Sequence, residues 1–215
     1  MNIFIPYNRE YVLRTYDVDN NHAAFLEGTV LRNLIERLVK SNLVDRVDVY
    51  TREKSTLDGI YSKKLNFVES ISDELEASEE IMKDYLSITM LTEPIVYYNL
   101  MFPFTELKKL KSSLESIKTG EYESATGVIA KGVVWSHEPV SEAAPLTLTP
   151  SQSEITTGLD VGSFCITTPE NILNGFSRTT PPVLLVPLAS LELINMRSNA
   201  DKELYQLIIS SGMAV

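Results

Sequence analysis

The chain has 215 residues, of which 44% are hydrophobic, and this length favours one domain built around one substantial core. Its 29 Asp and Glu residues outnumber its 19 Lys and Arg residues, so the net charge of -10 argues against a nucleic-acid groove as the main function. The single cysteine excludes an internal disulfide, and no apolar stretch is long enough to span a membrane. No basic run followed by an apolar core opens the sequence, so we expect a cytoplasmic protein.

The first quarter of the chain predicts a strand, a loop, a helix and a second strand. Residues 2–5 form a short apolar strand that Pro6 ends. Residues 7–26 mix polar and aromatic side chains without a period, which predicts a long loop. Thr29 is then expected to cap an amphipathic helix, and residues 46–51 alternate as a strand. This order is that of a βαβ unit with two parallel strands.

The most apolar run of the sequence lies near its middle. Residues 95–102 are almost continuously apolar or aromatic, which predicts a strand buried on both sheet faces that ends at Pro103. Thr105 is expected to cap the following helix, whose apolar positions recur at helical spacing. Ligands of open α/β sheets bind at the carboxyl ends of the strands, so residues 99–104 are the first place to expect a site.

The remaining elements are predicted more briefly. Residues 66–68 favour a short strand, and the acidic residues 73–85 favour a helix with a solvated face. Residues 124–135, 160–167 and 183–187 favour three further strands. Pro169 lies in the first turn of a short helix. A box-like pair, Ser198 and Asp201, caps the last helix, for which we expect an inward face of Leu204, Leu207 and Ile208. The elements together predict an α/β domain over residues 1–215, with a mostly parallel sheet flanked by helices.

Several strings, in this order along the chain, resemble the cytidylyltransferases that activate acidic sugars, the acylneuraminate and deoxyoctulosonate family. Residues 34–51 are similar to the family's first helix and second strand, and Phe102-Pro103-Phe104 to its central strand. Residues 120–125, 162–167 and 194–204 are similar to its later strands and closing helix. The resemblance implies a nucleotide-diphosphosugar transferase-like fold, transfer of CMP from CTP to an acidic sugar, and magnesium as cofactor if the protein is active. It also implies a homodimer, paired through an arm around residues 136–158.

Two functional positions depart from the family pattern. The family follows its first strand with a glycine-rich basic loop that cradles a triphosphate, whereas this chain has no glycine before Gly28. The family holds magnesium with two aspartates separated by one residue, and Asn195 and Arg197 stand in those places here. Three interpretations are open: the metal binds elsewhere, Arg197 itself supplies a cation, or the site is no longer catalytic. We favour the last.

The residues from which we expect nucleotide, phosphate or sugar contacts are Arg9, Arg14, Asn99, Asn195 and Arg197. No catalytic residue and no metal ligand is assigned. The sequence therefore supports three hypotheses. The first is a divergent sugar nucleotidyltransferase-like enzyme, and the second is a catalytically inactive relative that binds a sugar nucleotide or a protein partner. The third is an enzyme of the same broad fold that acts on a different nucleotide. None of them involves a nucleic acid or a membrane. Cys165, among apolar neighbours, is interpreted as a buried structural thiol.

Overall fold

A computed structural model of the chain describes residues 1–52, 54–70, 77–130 and 158–212. The strands of this part are β1 (Asn2–Pro6), β2 (Arg46–Tyr50), β3 (Leu65–Val68), β4 (Ile95–Tyr98), β5 (Ser124–Ala130), β6 (Gly158–Thr167) and β7 (Val183–Pro187). Its α-helices are α1 (Arg9–Tyr16), α2 (Asn20–Phe25), α3 (Arg32–Lys40), α4 (Ser78–Thr89), α5 (Leu107–Lys118), α6 (Pro169–Leu173) and α7 (Asn199–Ser210). A π-helical turn, Leu26–Leu31, joins α2 to α3, and 3₁₀ turns lie at Lys54–Leu57 and Ser190–Leu193. None of the helices in the described ranges is long and apolar enough to cross a membrane.

The seven strands form one sheet in the order β3-β2-β1-β4-β6-β5-β7. Pairing is parallel between β1 and β2, β2 and β3, β1 and β4, and β5 and β7. Only β6 among them runs antiparallel to its neighbours, β4 and β5. The prediction of a mostly parallel sheet flanked by helices is therefore confirmed.

The strand order reverses direction between β1 and β4. From β1 the chain adds β2 and β3 on one side and then returns to place β4 on the other side. Helical connections that leave in opposite directions open a crevice at the carboxyl ends of the two central strands, where ligands of doubly wound sheets bind. The sheet topology thus directs attention to the segments that follow Pro6 and Tyr98.

Two hydrophobic layers cover the sheet. Side chains of α3, α5 and α7 pack on one face, against residues such as Ile5 and Tyr98. The other face packs against α4 and α6 and is rich in aromatic rings. There Phe4 stacks on Tyr85 with ring centroids 4.0 Å apart. Adjacent residues of β1 and β4 therefore face different helical layers.

The predicted loop over residues 7–26 is wrong, because this segment folds into α1 and α2. Asn8 accepts a hydrogen bond from the Tyr11 amide at 3.0 Å and caps α1. Asp19 accepts one from the His22 amide at 2.7 Å and caps α2. Between the helices Asp17 adopts a left-handed conformation, which ends α1. Two local capping side chains thus outweigh a sequence without clear periodicity.

Two helix starts and the inward face of a third helix also differ from the prediction. Thr29 lies inside the π-helical turn that continues α2 into α3, so it caps nothing. Glu106, not Thr105, is the N-cap position of α5, and the buried Thr105 hydroxyl donates to the Phe102 carbonyl at 3.2 Å. On α7, Ser198 and Asp201 form the predicted capping box. The inward face of that helix is Tyr205 and Ile208, whereas Leu204 and Leu207 are exposed.

The apolar run at the centre of the chain is only partly a strand. β4 ends at Tyr98, and the amide of Phe102 donates to the Asn99 carbonyl at 3.0 Å, which closes a turn. Leu100, Met101 and Phe102 are buried within that turn. Their hydrophobicity reflects burial and not strand structure.

The predicted arm at 136–158 and the end of the predicted strand at 124–135 lie outside the described residues, so a homodimer formed through that arm stays a prediction.

A buried carboxylate holds β2, β3 and α4 together. Asp48, which is 1% exposed, accepts hydrogen bonds from Arg46 Nε at 2.6 Å, Asn66 Nδ2 at 3.0 Å and the Tyr85 hydroxyl at 2.5 Å. Burial and the nearby Asp48 carboxylate raise the pKa of Tyr85, so its hydroxyl stays protonated and donates. Charge-assisted hydrogen bonds of this kind are the strong ones in protein interiors.

We expect Tyr85→Phe to lower the free energy of unfolding by about 2 kcal/mol, because it leaves one oxygen of the buried Asp48 carboxylate without its donor. Urea denaturation followed by circular dichroism measures the change. Tyr61→Phe is the matched control, since Tyr61 is 94% exposed. Its effect should stay within about 0.5 kcal/mol. Equal stabilities of the two variants would contradict the assigned role of the Tyr85 hydroxyl.

Candidate functional site

The candidate site is the crevice at the carboxyl ends of β1 and β4. Asn99 directly follows β4, and its backbone amide donates to the Ser163 carbonyl of β6 at 3.0 Å. The neighbouring part of β6 contains Asp160 and Gly162. On the other side α1 begins three residues after β1 ends and carries Tyr11 and Tyr16. Three chain segments that are distant in sequence therefore meet at this edge: the end of β1 with α1, the end of β4, and β6.

The carboxamide of Asn99 joins these three segments. Its Nδ2 donates to the Gly162 carbonyl at 2.8 Å, and its Oδ1 accepts from the Met101 amide at 3.0 Å. The Tyr16 hydroxyl also approaches Oδ1, at 3.5 Å. The side chain predicted to bind a ligand is thus already engaged in the fold. With these bonds, Asn99 positions the segments that line the crevice. Its carboxamide is not free to bind a ligand.

Tyr16 places an aromatic ring beside Arg197. The Arg197 guanidinium carbon lies 5.2 Å from the centroid of the Tyr16 ring, within the range of a cation–π interaction. Tyr11 packs edge-on against Tyr16 with centroids 6.3 Å apart. Burial raises the pKa of the Tyr16 hydroxyl, and the Arg197 and Arg178 guanidinium groups act in the opposite direction. The Tyr16 hydroxyl therefore experiences the positive field of both arginines.

Arg178 was missed by the sequence analysis. It lies between α6 and β7, in a segment with no periodicity, and its proximity to the crevice arises only from tertiary structure. Its Nη2 lies 3.4 Å from Asp160 Oδ2, and its side chain is 24% exposed. Asp160 also accepts from Thr126 Oγ1 at 2.9 Å and from the Gly162 amide at 2.8 Å. Arg178 is thus a partly exposed cation. Its counter-ion, Asp160, also accepts hydrogen bonds from residues of β5 and β6.

The segment carrying Asn195 and Arg197 is a tight turn and not the closing strand that the resemblance implied. The Arg197 amide donates to the Asn195 carbonyl at 2.7 Å. A ring nitrogen of the buried His22 lies 2.8 Å from the Met196 carbonyl, so that nitrogen, Nε2, carries the proton. This bond anchors the turn to α2. Arg197 itself is exposed.

These residues do not fit a magnesium ion. The Asn195 Oδ1 is buried without a hydrogen-bond partner in the described part of the chain, so it is closed to a hydrated cation. Arg197 carries a positive charge, which repels a metal. Nowhere in the described ranges are three or more His, Cys, Asp or Glu side chains grouped to hold an ion. Asn195 and Arg197 therefore do not support a metal-dependent chemical step.

The other two predicted arginines lie on α1. Arg9 Nη1 is 3.9 Å from Glu27 Oε2, and its Nη2 approaches the Asn20 carbonyl at 3.4 Å. Arg14 is exposed on the same helix. Of the predicted residues, the structure brings Asn99 and Arg197 together through Tyr16 and places Asn195 in the same turn as Arg197. The contacts described for Arg9 are made outside that group.

The fold matches solved structures of nucleotidyltransferases. CMP:2-keto-3-deoxy-manno-octonic acid synthetase complexed with CTP has a TM-score of 0.62 and 11% identity, with 98% of this chain and 99% of that chain covered. A 2-C-methyl-D-erythritol 4-phosphate cytidylyltransferase from Francisella tularensis has a TM-score of 0.56 and 10% identity, over 96% of this chain and 98% of that one. The chain has a nucleotide-diphosphosugar transferase-like fold.

A third structure widens the range of activities found on this fold. Molybdopterin-guanine dinucleotide biosynthesis protein A from Archaeoglobus fulgidus has a TM-score of 0.56 and 11% identity, and the match covers 98% of this chain and all, 100%, of that chain. No protein-family model and no curated protein matches the sequence. Because the same architecture serves different substrates, the fold does not select one of them.

Two glycines, Gly162 at the crevice and Gly28 in the π-helical turn, test the assigned backbone conformations. Gly162 has φ +68°, a left-handed conformation, and an added Cβ would lie 3.8 Å from Arg178 Nη2. We expect Gly162→Ala to destabilise the protein by about 1–2 kcal/mol, because of the backbone strain and not because of a clash. Gly28 lies in the π-helical turn, with no atom within 4 Å of an added Cβ. Gly28→Ala should therefore stabilise the protein by about 0.5–1 kcal/mol. Thermal or urea unfolding measures both, and changes of the same sign would refute the assigned conformations.

Cys165 lies on β6 beneath the crevice and is fully buried. Burial raises the pKa of its thiol to about 12. We expect a thiol-specific chromogenic reagent at pH 8 to leave the native protein unlabelled and to label the single thiol in denaturant, where its pKa returns to about 8.5. Labelling at equal rates in both states would show that Cys165 is a reactive group and not a structural one.

Proposed function

We propose that the chain binds a nucleotide or sugar nucleotide in the crevice and has lost the metal-dependent transfer activity of catalytic relatives. The observation that supports this most directly is the position of Arg197. Its guanidinium stacks on Tyr16 in the place where the resemblance puts a metal-binding aspartate. A fixed cation there can neutralise an anionic ligand without a metal ion. We place the protein as a divergent member of the acylneuraminate and deoxyoctulosonate cytidylyltransferase group.

Positive charge at the crevice favours an anionic ligand. Arg178 and Arg197 both act on Tyr16, and only Arg178 among the two has a described ion-pair partner, Asp160. A guanidinium offers several donors in a plane and can bind a phosphate or a carboxylate with two hydrogen bonds. Phosphate and carboxylate are the anionic groups that a nucleotide of an acidic sugar combines. The two arginines therefore supply the electrostatic part of recognition.

The backbone after β1 also favours binding without catalysis. The catalytic family uses glycine-rich amides in this place, whereas here Asn8 and Asp19 cap the two helices and each occupies one first-turn amide, that of Tyr11 and that of His22. Fewer backbone donors are then left to cradle a triphosphate. Recognition by side-chain guanidinium groups fits a ligand with less phosphate charge than CTP, such as a nucleoside monophosphate or its sugar derivative.

An active cytidylyltransferase is the second candidate. It is favoured by the full-length structural match to a synthetase complexed with CTP. In that case magnesium is required, and ligands other than Asn195 and Arg197 must hold it. Such an enzyme would join the α-phosphate of CTP to a hydroxyl group of the acidic sugar and release pyrophosphate. The two candidates differ in one observable, which is turnover.

Calorimetric titration with CTP, CMP, ATP and GTP, with and without Mg²⁺, tests the proposal. We expect binding that does not depend on Mg²⁺, and no release of pyrophosphate when CTP is incubated with an acidic sugar such as N-acetylneuraminate. Arg197→Ala should weaken the affinity about tenfold, because it removes a charge-assisted contact. Arg197→Lys should recover only part of the loss, since lysine cannot form the planar pair of donors.

Lys40→Ala is the matched control for the loss of one positive charge, since Lys40 is a 76% exposed residue on α3. Its nucleotide affinity should equal that of the unmodified protein. Pyrophosphate release that depends on Mg²⁺ would refute the loss of activity and support the second candidate. No binding of any of the four nucleotides would refute the nucleotide-binding role itself.

A further inference from the structure

A separate cavity lies in the helical layer that contains α3 and α5. Its volume is about 420 Å³, and the apolar side chains that line it include Leu43, Phe104, Leu107 and Leu191. This volume falls within the range of small-molecule pockets, which are mostly apolar and carry few polar groups. None of the crevice residues named above lines the cavity. It is therefore a second site and does not depend on the proposed function.

A smaller cavity continues the first one toward α7. It has a volume of about 210 Å³ and shares Arg37 and Phe104 with the larger cavity. Tyr205 and Ile209 of α7 line its far side. The Arg37 side chain thus lines two adjacent spaces, and a ligand in either one would lie beside it.

Arg37 is a partly buried cation without a counter-ion in the described part of the chain. One guanidinium nitrogen, Nη2, donates to the Tyr98 hydroxyl at 2.9 Å and approaches the Thr105 carbonyl at 3.4 Å, and both partners are neutral. Its Nε–H is buried and has no hydrogen-bond partner within the described ranges. Removing a charge from water is unfavourable unless an opposite charge compensates it. The site therefore lacks one negative charge.

The two carboxylates that line the cavity do not supply that charge. Glu192 is fully engaged, since it accepts from the Glu106 amide at 2.9 Å, from the Ala189 amide at 2.9 Å and from the Lys109 ammonium group. Glu106 is exposed and makes no ion pair with Arg37. Its carboxylate would repel a bound anion, so removing it should strengthen anion binding.

The start of α5 adds a second attraction for an anion at the same place. Glu106 occupies the N-cap position without a side-chain capping bond, and Leu107 and Lys108 of the first turn line the cavity. Uncapped first-turn amides and the helix dipole favour negative charge. Arg37 reaches the Thr105 carbonyl, one residue before this N-cap, so the guanidinium and the helix start converge.

We propose that this cavity binds a small amphipathic carboxylate. The carboxylate lies between Arg37 and the first turn of α5, and the apolar body packs on Leu43, Leu107 and Leu191. Both parts of the ligand are required: the charge compensates the buried guanidinium, and the apolar body removes hydrophobic surface from water.

Decanoate, below its micelle concentration, is the probe, and methyl NMR of the leucine residues together with calorimetry is the measurement. We expect decanoate to shift the methyl resonances of Leu43, Leu107 and Leu191, and 1-decanol to bind at least about tenfold more weakly, since it lacks the charge. Equal affinity for the two probes would overturn the role of Arg37. No leucine methyl shift with decanoate would overturn the site.

Three variants distinguish an effect of charge on ligand binding from an effect on folding. Arg37→Gln should weaken decanoate binding about tenfold, and Arg37→Lys should retain part of it. Glu106→Gln should strengthen binding, because it removes a repelling charge from an exposed position where folding is not at risk. If Glu106→Gln leaves the affinity unchanged or weakens it, the anion is not bound at the start of α5. If Arg37→Gln unfolds, the Glu106→Gln result and the comparison of the two probes still decide the proposal.

Discussion

The crevice depends on the carboxamide of Asn99, which fixes three chain segments at the end of the central strand. It accepts from the Met101 amide, so the chain turns as soon as β4 ends, and it donates to the Gly162 carbonyl, so β6 stays beside that turn. It also lies next to the Tyr16 hydroxyl of α1. Because β6 is antiparallel to β4, its first half, and with it Asp160, lies at the carboxyl end of β4. The strand order opens the crevice, and this one side chain determines what lines it.

Positive charge at the crevice is carried by side chains, since no glycine-rich loop follows β1. Capped helices follow it instead, with one amide of each helix, Tyr11 and His22, bound to Asn8 and Asp19. Positive charge at the same edge comes instead from Arg178 and Arg197, which reach it from loops far along the chain. Guanidinium groups on loops adapt more easily than a preformed cradle of amides, but they hold a triphosphate less rigidly. Binding without turnover is consistent with this arrangement.

Much of the sheet could be predicted from the sequence, because several strands are short apolar or alternating runs that end at a proline or a polar turn. β7, Val183–Pro187, matched its predicted range for this reason. The run after β4 was misjudged, since burial makes a turn as apolar as a strand, and residues 100–102 form such a turn. Helices α1 and α2 were missed although their capping residues are visible in the sequence. Arg178 could not be predicted, because only the folding of β6 beside β4 brings its loop to the crevice.

The crevice and the cavity meet where the central strand ends. Tyr98, the last residue of β4, projects toward α3 and binds Arg37, and Asn99 begins the turn that carries the crevice contacts. The Tyr98 ring is buried in the helical layer of α3 and α5, whereas the Asn99 carboxamide is held by Gly162 and Met101. The two sites therefore use different side chains on either side of this one peptide bond.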